Sequence, residues 1–277
     1  MLDNEKLTSI NNGLRSNDKK EILDTCRLIP GNVSSMSPQE LRSVTDALMS
    51  FFYHDDESLE DFREIAECAS DSIATMGADT VEVLIEGLTD ADLQANLFIS
   101  ETLAKIGAPA IAVLKVKFQS DPDPYTRAMA LLALSKIDDP ALLDVFSEVV
   151  SAMDHENGEL RSMAVQAIGR IIGCVGGLCI APDVARETFE KLVKKVADPH
   201  AGTRARAISG IGKLAENGYL DDDQVKQAVA LLERVLGIDE KHSWDRAFIV
   251  RREAEETYKV LTGELPKLGD SCDYYRE

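Results

Sequence analysis

A spaced pattern recurs through the last two-thirds of the chain and limits what the sequence can fold into. An acidic residue is followed six residues later by Arg, and small or apolar residues come three, six, seven and ten residues after the Arg. The clearest copies begin at Asp121, Asp198 and Asp245 and have their arginines at Arg127, Arg204 and Arg251. A motif that returns at such intervals is typical of stacked helical repeats.

Six predicted helices can be aligned on the arginine position, and we call them the signature helices. Their aligned positions hold Ala66, Asn96, Arg127, Arg161, Arg204 and Arg251. The offsets 0, 3, 7 and 10 place the motif on one face of a helix. The residue at offset 3 is small in five of the six copies, and small residues let neighbouring helices approach closely. The pattern therefore predicts tight packing between consecutive signature helices.

Further amphipathic helices are predicted between the signature helices, at residues 79–88, 109–118, 140–150, 184–196 and 223–236. The separators carry helix-ending glycines, as at Gly77 and Gly107, and helix-starting Asp or Pro, as at Asp79 and Pro109. No stretch shows sustained two-residue alternation, so no strands are predicted.

Three segments carry a family resemblance: DPDPYTRAMALLALSKIDDPALLDVF, DADLQANLFISETLAKIGAPAIAVL and DPHAGTRARAISGIGKLAENG. They resemble HEAT repeats, most of all the short bacterial and archaeal type that is similar to phycobilisome-lyase repeats. The resemblance covers residues 60–263, although Glu60 and Ala66 depart from the motif in the first copy and Asn96 in the second. It implies an all-α fold: a right-handed α-α superhelix, or HEAT-like solenoid, of about six helical hairpins.

The two ends of the chain lack the motif. Residues 1–59 contain predicted helices at 19–29 and 38–53, and we expect them to form an N-terminal helical cap, because an open stack needs a polar outer face. Residues 264–277 contain Pro266 and Gly269 and are predicted to form a polar C-terminal tail.

The charge of the chain restricts its partners. Its 30 Lys and Arg against 49 Asp and Glu give a net charge of −19. This charge disfavours nucleic acid and anionic membranes, whose binding relies on Lys and Arg, and favours a basic protein partner. The first residues, MLDNEKLTSI, do not show the basic and then apolar pattern of a signal segment, and no apolar run approaches the ~18 residues of a membrane helix. Five cysteines, an odd number, fit a reducing compartment better than a disulfide framework. We therefore predict a cytoplasmic protein; the oligomeric state stays open.

The repeated acidic and arginine residues have two interpretations. An arginine series can bind anions, whereas the HEAT resemblance implies that Asp and Arg side chains pair at the turns between neighbouring repeats. We favour this structural ladder because the planar guanidinium can bind a carboxylate and backbone carbonyls together. Its predicted members are Asp121, Arg127, Arg161, Asp198, Arg204, Asp245 and Arg251.

The last repeat is the strongest candidate for partner binding. Its candidate residues are His242, Trp244, Arg246, Phe248 and Arg252. Trp and Arg are enriched at binding hot spots. The alternative is that the aromatic side chains only close the hydrophobic end of the stack.

Other groups with possible chemistry have simpler interpretations. Cys174 and Cys179 lack the second ligand pair of a zinc site, although metal binding by them stays open. The four histidines, His54, His155, His200 and His242, fall in turns, where a neutral imidazole caps helices without a metal, and metal binding by them stays open as well. No hydrolase, zinc-protease or phosphate-loop motif occurs. We predict no catalytic, cofactor or metal site.

The sequence thus predicts a non-catalytic scaffold, an adaptor or regulatory subunit, that binds protein through a concave acidic surface. Two alternatives remain at this stage. One is a cofactor- or chromophore-handling lyase or chaperone of the HEAT-like lyase type, and the other is a self-assembling structural protein.

Overall fold

The computed structural model describes residues 4–53, 59–90, 92–176, 180–238 and 244–266. Every regular element in these ranges is a helix, and the chain divides into two compact units. Unit 1 is Met1–Asp139 and unit 2 is Pro140–Glu277.

Unit 1 contains eight α-helices in its described residues. They are α1 (Asn4–Leu14), α2 (Lys19–Leu28), α3 (Pro38–Met49), α4 (Leu59–Met76), α5 (Val81–Asp90), α6 (Leu93–Ile106), α7 (Ala108–Ser120) and α8 (Pro124–Lys136). Short 3-10 helices at Pro30–Ser35, Ser50–Tyr53 and Gly77–Thr80 link some of them. Gly77 and Gly107 have positive φ angles, 82° and 77°, at the two turns where glycine was predicted to end a helix.

Unit 2 contains six α-helices in its described residues. They are α9 (Leu143–Ala152), α10 (Gly158–Val175), α11 (Pro182–Lys195), α12 (Ala201–Glu216), α13 (Asp222–Leu236) and α14 (Phe248–Thr262), preceded by a 3-10 helix at Pro140–Leu142. The signature helices are α4, α6, α8, α10, α12 and α14.

Each signature helix forms a hairpin with the helix before it. The pairs are α3–α4, α5–α6 and α7–α8 in unit 1 and α9–α10, α11–α12 and α13–α14 in unit 2. Within each unit, consecutive signature helices also pack directly on one another. The all-α, HEAT-like fold predicted from the sequence is confirmed. The hairpin α3–α4 spans residue 59, so the separate cap at 1–59 stays a prediction, as does the tail at 264–277.

The offset-3 column forms the contact between signature helices. Ala69, Ile99, Ala130, Ala164, Ala207 and Ala254 are all fully buried. Between α10 and α12 the approach is closer still, because a Cβ added to Gly169 would lie 3.7 Å from the Cα of Gly210. Small side chains therefore set the spacing of the stack, as their position in the motif predicts.

The first helix is a difference from the sequence prediction. Helix α1 contains three asparagines and a glycine, which are weak helix formers, so its sequence pattern is faint. Its Ile10 and Leu14 are nevertheless buried. Tertiary packing stabilises this helix, which intrinsic propensity alone does not favour.

Candidate functional site

The turn before four of the signature helices, α8, α10, α12 and α14, is held by the residue six positions before the arginine. One carboxylate oxygen of Asp198 accepts the backbone N–H of His200 at 2.9 Å, and Asp245 accepts that of Ala247 at the same distance. Asp121 accepts the N–H of Asp123, also at 2.9 Å. These bonds close the turn before the helix starts.

His155 occupies the equivalent position in the fourth copy. Its Nδ1 accepts a hydrogen bond from the backbone N–H of Asn157 at 3.0 Å. The imidazole therefore makes the same contact with the turn as the aspartate carboxylates of the other copies. This contact requires Nδ1 to be unprotonated.

In unit 2 the signature arginines connect the turns of neighbouring repeats. Arg161 donates from Nη1 to the carbonyl oxygens of His155 and Glu156, at 2.9 and 3.2 Å, and from Nε to Asp198 of the next copy at 3.1 Å. Arg161 thus binds its own turn and the carboxylate of the following turn.

Arg204 repeats this arrangement with better geometry. It donates from Nη1 to the carbonyls of Asp198 and Pro199, and its Nε and Nη2 bind the two carboxylate oxygens of Asp245 at 2.7 and 2.9 Å. The side chains of Arg204 and Asp245 are only 17% and 15% exposed. Such a two-pronged, shielded pair is stronger than a surface ion pair.

Both carboxyl groups are held in the charged form. Burial alone would raise the pKa of Asp198, but bonds from the His200 N–H and from Arg161 more than offset it, and the pKa lies below its usual range. The pKa of Asp245 is lowered in the same way, with burial opposed by Arg204 and the Ala247 N–H. The ladder therefore stabilises unit 2 most when these groups are ionised.

The last signature arginine, Arg251, also contacts an aromatic ring. Arg251 donates to the carbonyl of Asp245 at 2.6 Å, and its guanidinium carbon lies 4.8 Å from the centre of the Trp244 ring. Trp244 is half-buried, so the structure places this predicted binding residue against the ladder.

The ladder residues of unit 1 make other contacts. Asp121 pairs with Lys117 at 2.8 Å, and Arg127 donates from Nε to the carbonyl of Phe118 at 2.8 Å. Asn96, which replaces arginine, is fully buried and donates to the hydroxyl of Tyr125 at 3.0 Å.

A second row of contacts was missed by the sequence analysis. Nine residues after the arginine position, the signature helices carry Lys105, Lys136, Arg170 and Lys213. In unit 1 these cations reach the preceding signature helix: Lys105 of α6 pairs with Asp71 of α4 at 2.6 Å, and Lys136 of α8 with Glu101 of α6 at 3.1 Å. The offset of nine is visible in the sequence, but the acidic partners lie on different helices.

Three carboxylates lie along one side of α4. Glu64, Glu67 and Asp71 are three and four residues apart and more than half exposed. They line an open depression of about 480 Å³, together with Leu23 and Pro30 among others. This acidic α4 face, which we define as Glu64, Glu67 and Asp71, borders a depression whose lining also includes Arg27, Cys68, Ser72 and Thr75.

The other predicted partner-binding residues lie at or near α14. Phe248 is 58% exposed, Arg246 is exposed, and the exposed Arg252 pairs with Glu256 at 3.3 Å. Apolar Ile249 beside Phe248 is also exposed. His242 lies outside the described residues.

The thiols and histidines form no metal-binding group of three or more ligands within the described residues. Cys26 is buried against Cys68, and burial, with Cys68 beside it, raises the pKa of the Cys26 thiol to about 12. Cys174 is half-buried, while Cys179 and His54 lie outside the described residues. His200 is exposed, with Nδ1 3.4 Å from Asp198.

Among the described helices, none is both long and apolar enough to cross a bilayer.

Solved structures with a similar fold include importin β and Kap95p. Importin β matches 95% of this chain with 38% of its own, at 14% identity and a TM-score of 0.64. Kap95p, in its complex with RanGDP, matches 96% of this chain with 36% of its own, at 11% identity and a TM-score of 0.60. The chain thus spans little more than a third of either protein, and the likeness shows the fold alone.

A weaker likeness is found to the CpcE–CpcF complex of phycocyanin lyase from Nostoc sp. PCC7120. It has 20% identity and covers 64% of this chain and 97% of that chain, at a TM-score of 0.48. That score is too low to support an argument about lyase activity.

The sequence comparisons give one family. No curated protein matches the chain. The model of the family described as "Adaptin N terminal region" matches residues 111–254, about half of the chain. The chain is a HEAT-repeat protein of the adaptin N-terminal region family.

Proposed function

We propose that the chain is a non-catalytic, cytoplasmic protein-binding scaffold, an adaptor or regulatory subunit, and that unit 1 binds a basic segment of its partner. The acidic α4 face carries this proposal. Unit 1 has 12 Lys and Arg against 25 Asp and Glu, a net charge of −13, whereas unit 2 has 18 against 24, a net charge of −6. Charge complementarity steers association and selects partners.

The internal ion pairs of the acidic α4 face can be replaced by contacts with a bound protein. Its carboxylates already pair with Lys19, Arg63 and Lys105. Exposed ion pairs of this kind contribute at most about 1 kcal/mol each, so Lys or Arg of a partner can replace them. The adjoining depression would accept the aliphatic stem of such a side chain.

The fold supports the same function. A stack of similar hairpins offers one row of side chains per repeat over a long surface, which is how repeat proteins bind partners. Kap95p has this fold and binds a protein, RanGDP. Fold alone does not specify a partner, so the chemistry of the surface carries the assignment of a basic segment.

We also propose the residues near α14 as a second contact area for a protein partner. Phe248 and Ile249 present apolar surface beside Arg246 and Arg252. An aromatic residue flanked by arginines is the composition of interface hot spots. Loss of partner binding in Phe248→Ala, with unchanged folding, is the expected result.

A labelled octalysine peptide tests the basic-partner proposal. We expect the variant Glu64→Gln/Glu67→Gln/Asp71→Asn to bind it about ten-fold more weakly than the unmodified protein, since three exposed charge contacts are lost. Binding should also weaken as salt rises. Fluorescence anisotropy gives both values.

The matched control removes three exposed acids from α11, in Asp183→Asn/Glu187→Gln/Glu190→Gln. Both variants have the same net charge. Equal weakening in the two would show that only total charge matters and would contradict the assignment to α4.

A further inference from the structure

The cations that lie nine residues after the arginine position have different neighbours in unit 2. In unit 1, Asp71 and Glu101 pair with the cations of the next signature helix. The residues at their aligned positions on α10 and α12 are Gln166 and Ser209, which carry no charge. Lys213 therefore meets no acidic residue at the aligned position of α10, and Arg170 lies one turn after the uncharged Gln166 on the same helix.

Arg206 adds a third cation to this region. It lies half-buried on α12 and donates from Nη1 to the hydroxyl of Ser162 on α10 at 2.8 Å. Burial lowers its pKa, and the positive charge of Arg170 on α10 lowers it further. No carboxylate within the described part of the chain forms an ion pair with either arginine.

Several polar donors line the same contact between helices. Ser162, Gln166 and Arg170 are spaced by four residues along α10, and Arg206, Ser209 and Lys213 follow one face of α12. The side chain of Lys213 reaches from α12 to α10: a Cβ added to Gly173 of α10 would lie 4.0 Å from the Cδ of Lys213. We call these six residues the α10–α12 seam.

Arg206 is half-buried and Arg170 is exposed, and their like charges oppose each other at the contact between α10 and α12. An anion bound beside them would relieve this repulsion. The guanidinium of Arg206 is positioned by Ser162, so little ordering is needed on binding. Lys213 already pairs with Glu216 at 2.7 Å, an exposed contact that a ligand can replace.

We propose that the α10–α12 seam binds an acidic segment of a protein partner, with an Asp or Glu carboxylate held between Arg170 and Arg206. The inference rests on the proposed protein-binding function but concerns a different unit and the opposite charge. Unit 1 would take basic residues and unit 2 acidic ones.

A labelled octaglutamate peptide tests the seam in the full-length protein. The seam variant is Arg170→Gln/Arg206→Gln. Its control, Arg186→Gln/Lys226→Gln, removes two exposed charges from α11 and α13 of the same unit. We expect the control to bind like the unmodified protein and the seam variant about ten-fold more weakly or worse, since charged hydrogen bonds are lost. Circular dichroism checks folding, and Arg170→Gln alone, at an exposed position, serves if the double variant unfolds.

Equal binding by the seam variant and its control would overturn the proposal. So would the absence of octaglutamate binding at about 1 mM peptide. Inorganic phosphate is the second probe: saturable phosphate binding that needs both arginines, without peptide binding, would assign the seam to a phosphate ligand instead. Octalysine binding is measured on the same samples, so failure at the seam is distinguished from failure at α4.

Discussion

Replacing Arg204 by Ala is expected to destabilise unit 2 by about 2 to 4 kcal/mol, because it removes one partner of a shielded ion pair. The change breaks two bonds to Asp245 and leaves that carboxylate largely buried without its guanidinium. It also frees the carbonyls of Asp198 and Pro199 at the preceding turn. Urea unfolding followed by circular dichroism measures the loss.

The matched control is Arg252→Ala on α14. This arginine is exposed and pairs with Glu256 one turn away, so we expect its loss to cost less than about 0.5 kcal/mol. Similar stability of the two variants would show that the ladder does not hold the repeats together.

The cost of the Arg204 change should shrink in acid. The pKa of Asp245 is lowered in the folded protein, so its contribution is complete above the unfolded pKa, about 4, and is lost as the pH falls through the folded value. Arg204→Ala lacks the part of this contribution that comes from Arg204, while the bond from the Ala247 N–H remains. The stability gap between the two proteins should therefore narrow below about pH 4.

Replacing Phe189 by Ala should have an effect of similar or greater size. Phe189 is 1% exposed and lies on α11, which packs against α12. Removing a buried aromatic side chain leaves a cavity and typically costs about 3 to 5 kcal/mol. Hydrogen exchange should show the loss of protection concentrated in α11 and its neighbours, because stability in a repeat stack is mainly a sum over adjacent repeats.

Phe248→Ala provides the control for the cavity. It makes the same chemical change at an exposed position, where surface substitutions usually stay within about 0.5 kcal/mol. A uniform rise in exchange across both units after Phe189→Ala would contradict the local character of the stability.

The features that sequence reasoning recovered are those that repeat at fixed offsets within one helix. Ala130, Ala164 and Ala207 recur three residues after the arginine, and their burial follows from helix geometry alone. The turn residues Asp198 and Asp245 recur in the same way.

The features that it missed depend on contacts between helices. Whether Lys105 meets an acid is decided by Asp71, 34 residues earlier. The seam likewise depends on the packing of α10, which carries Arg170, against α12, which carries Arg206, and no single-helix pattern contains that contact. Helix α1 was missed because packing of Ile10 and Leu14 outweighs its weak propensity.

The most direct test of the protein-binding function is quantitative mass spectrometry of proteins captured from a lysate of the source organism, at low and high salt. Baits are the unmodified protein, the α4 variant Glu64→Gln/Glu67→Gln/Asp71→Asn and its α11 control. We predict a basic partner that is retained by the unmodified protein and the control, and lost with the α4 variant and at high salt. Partners that bind all three baits equally and resist salt would contradict the proposed acidic binding face.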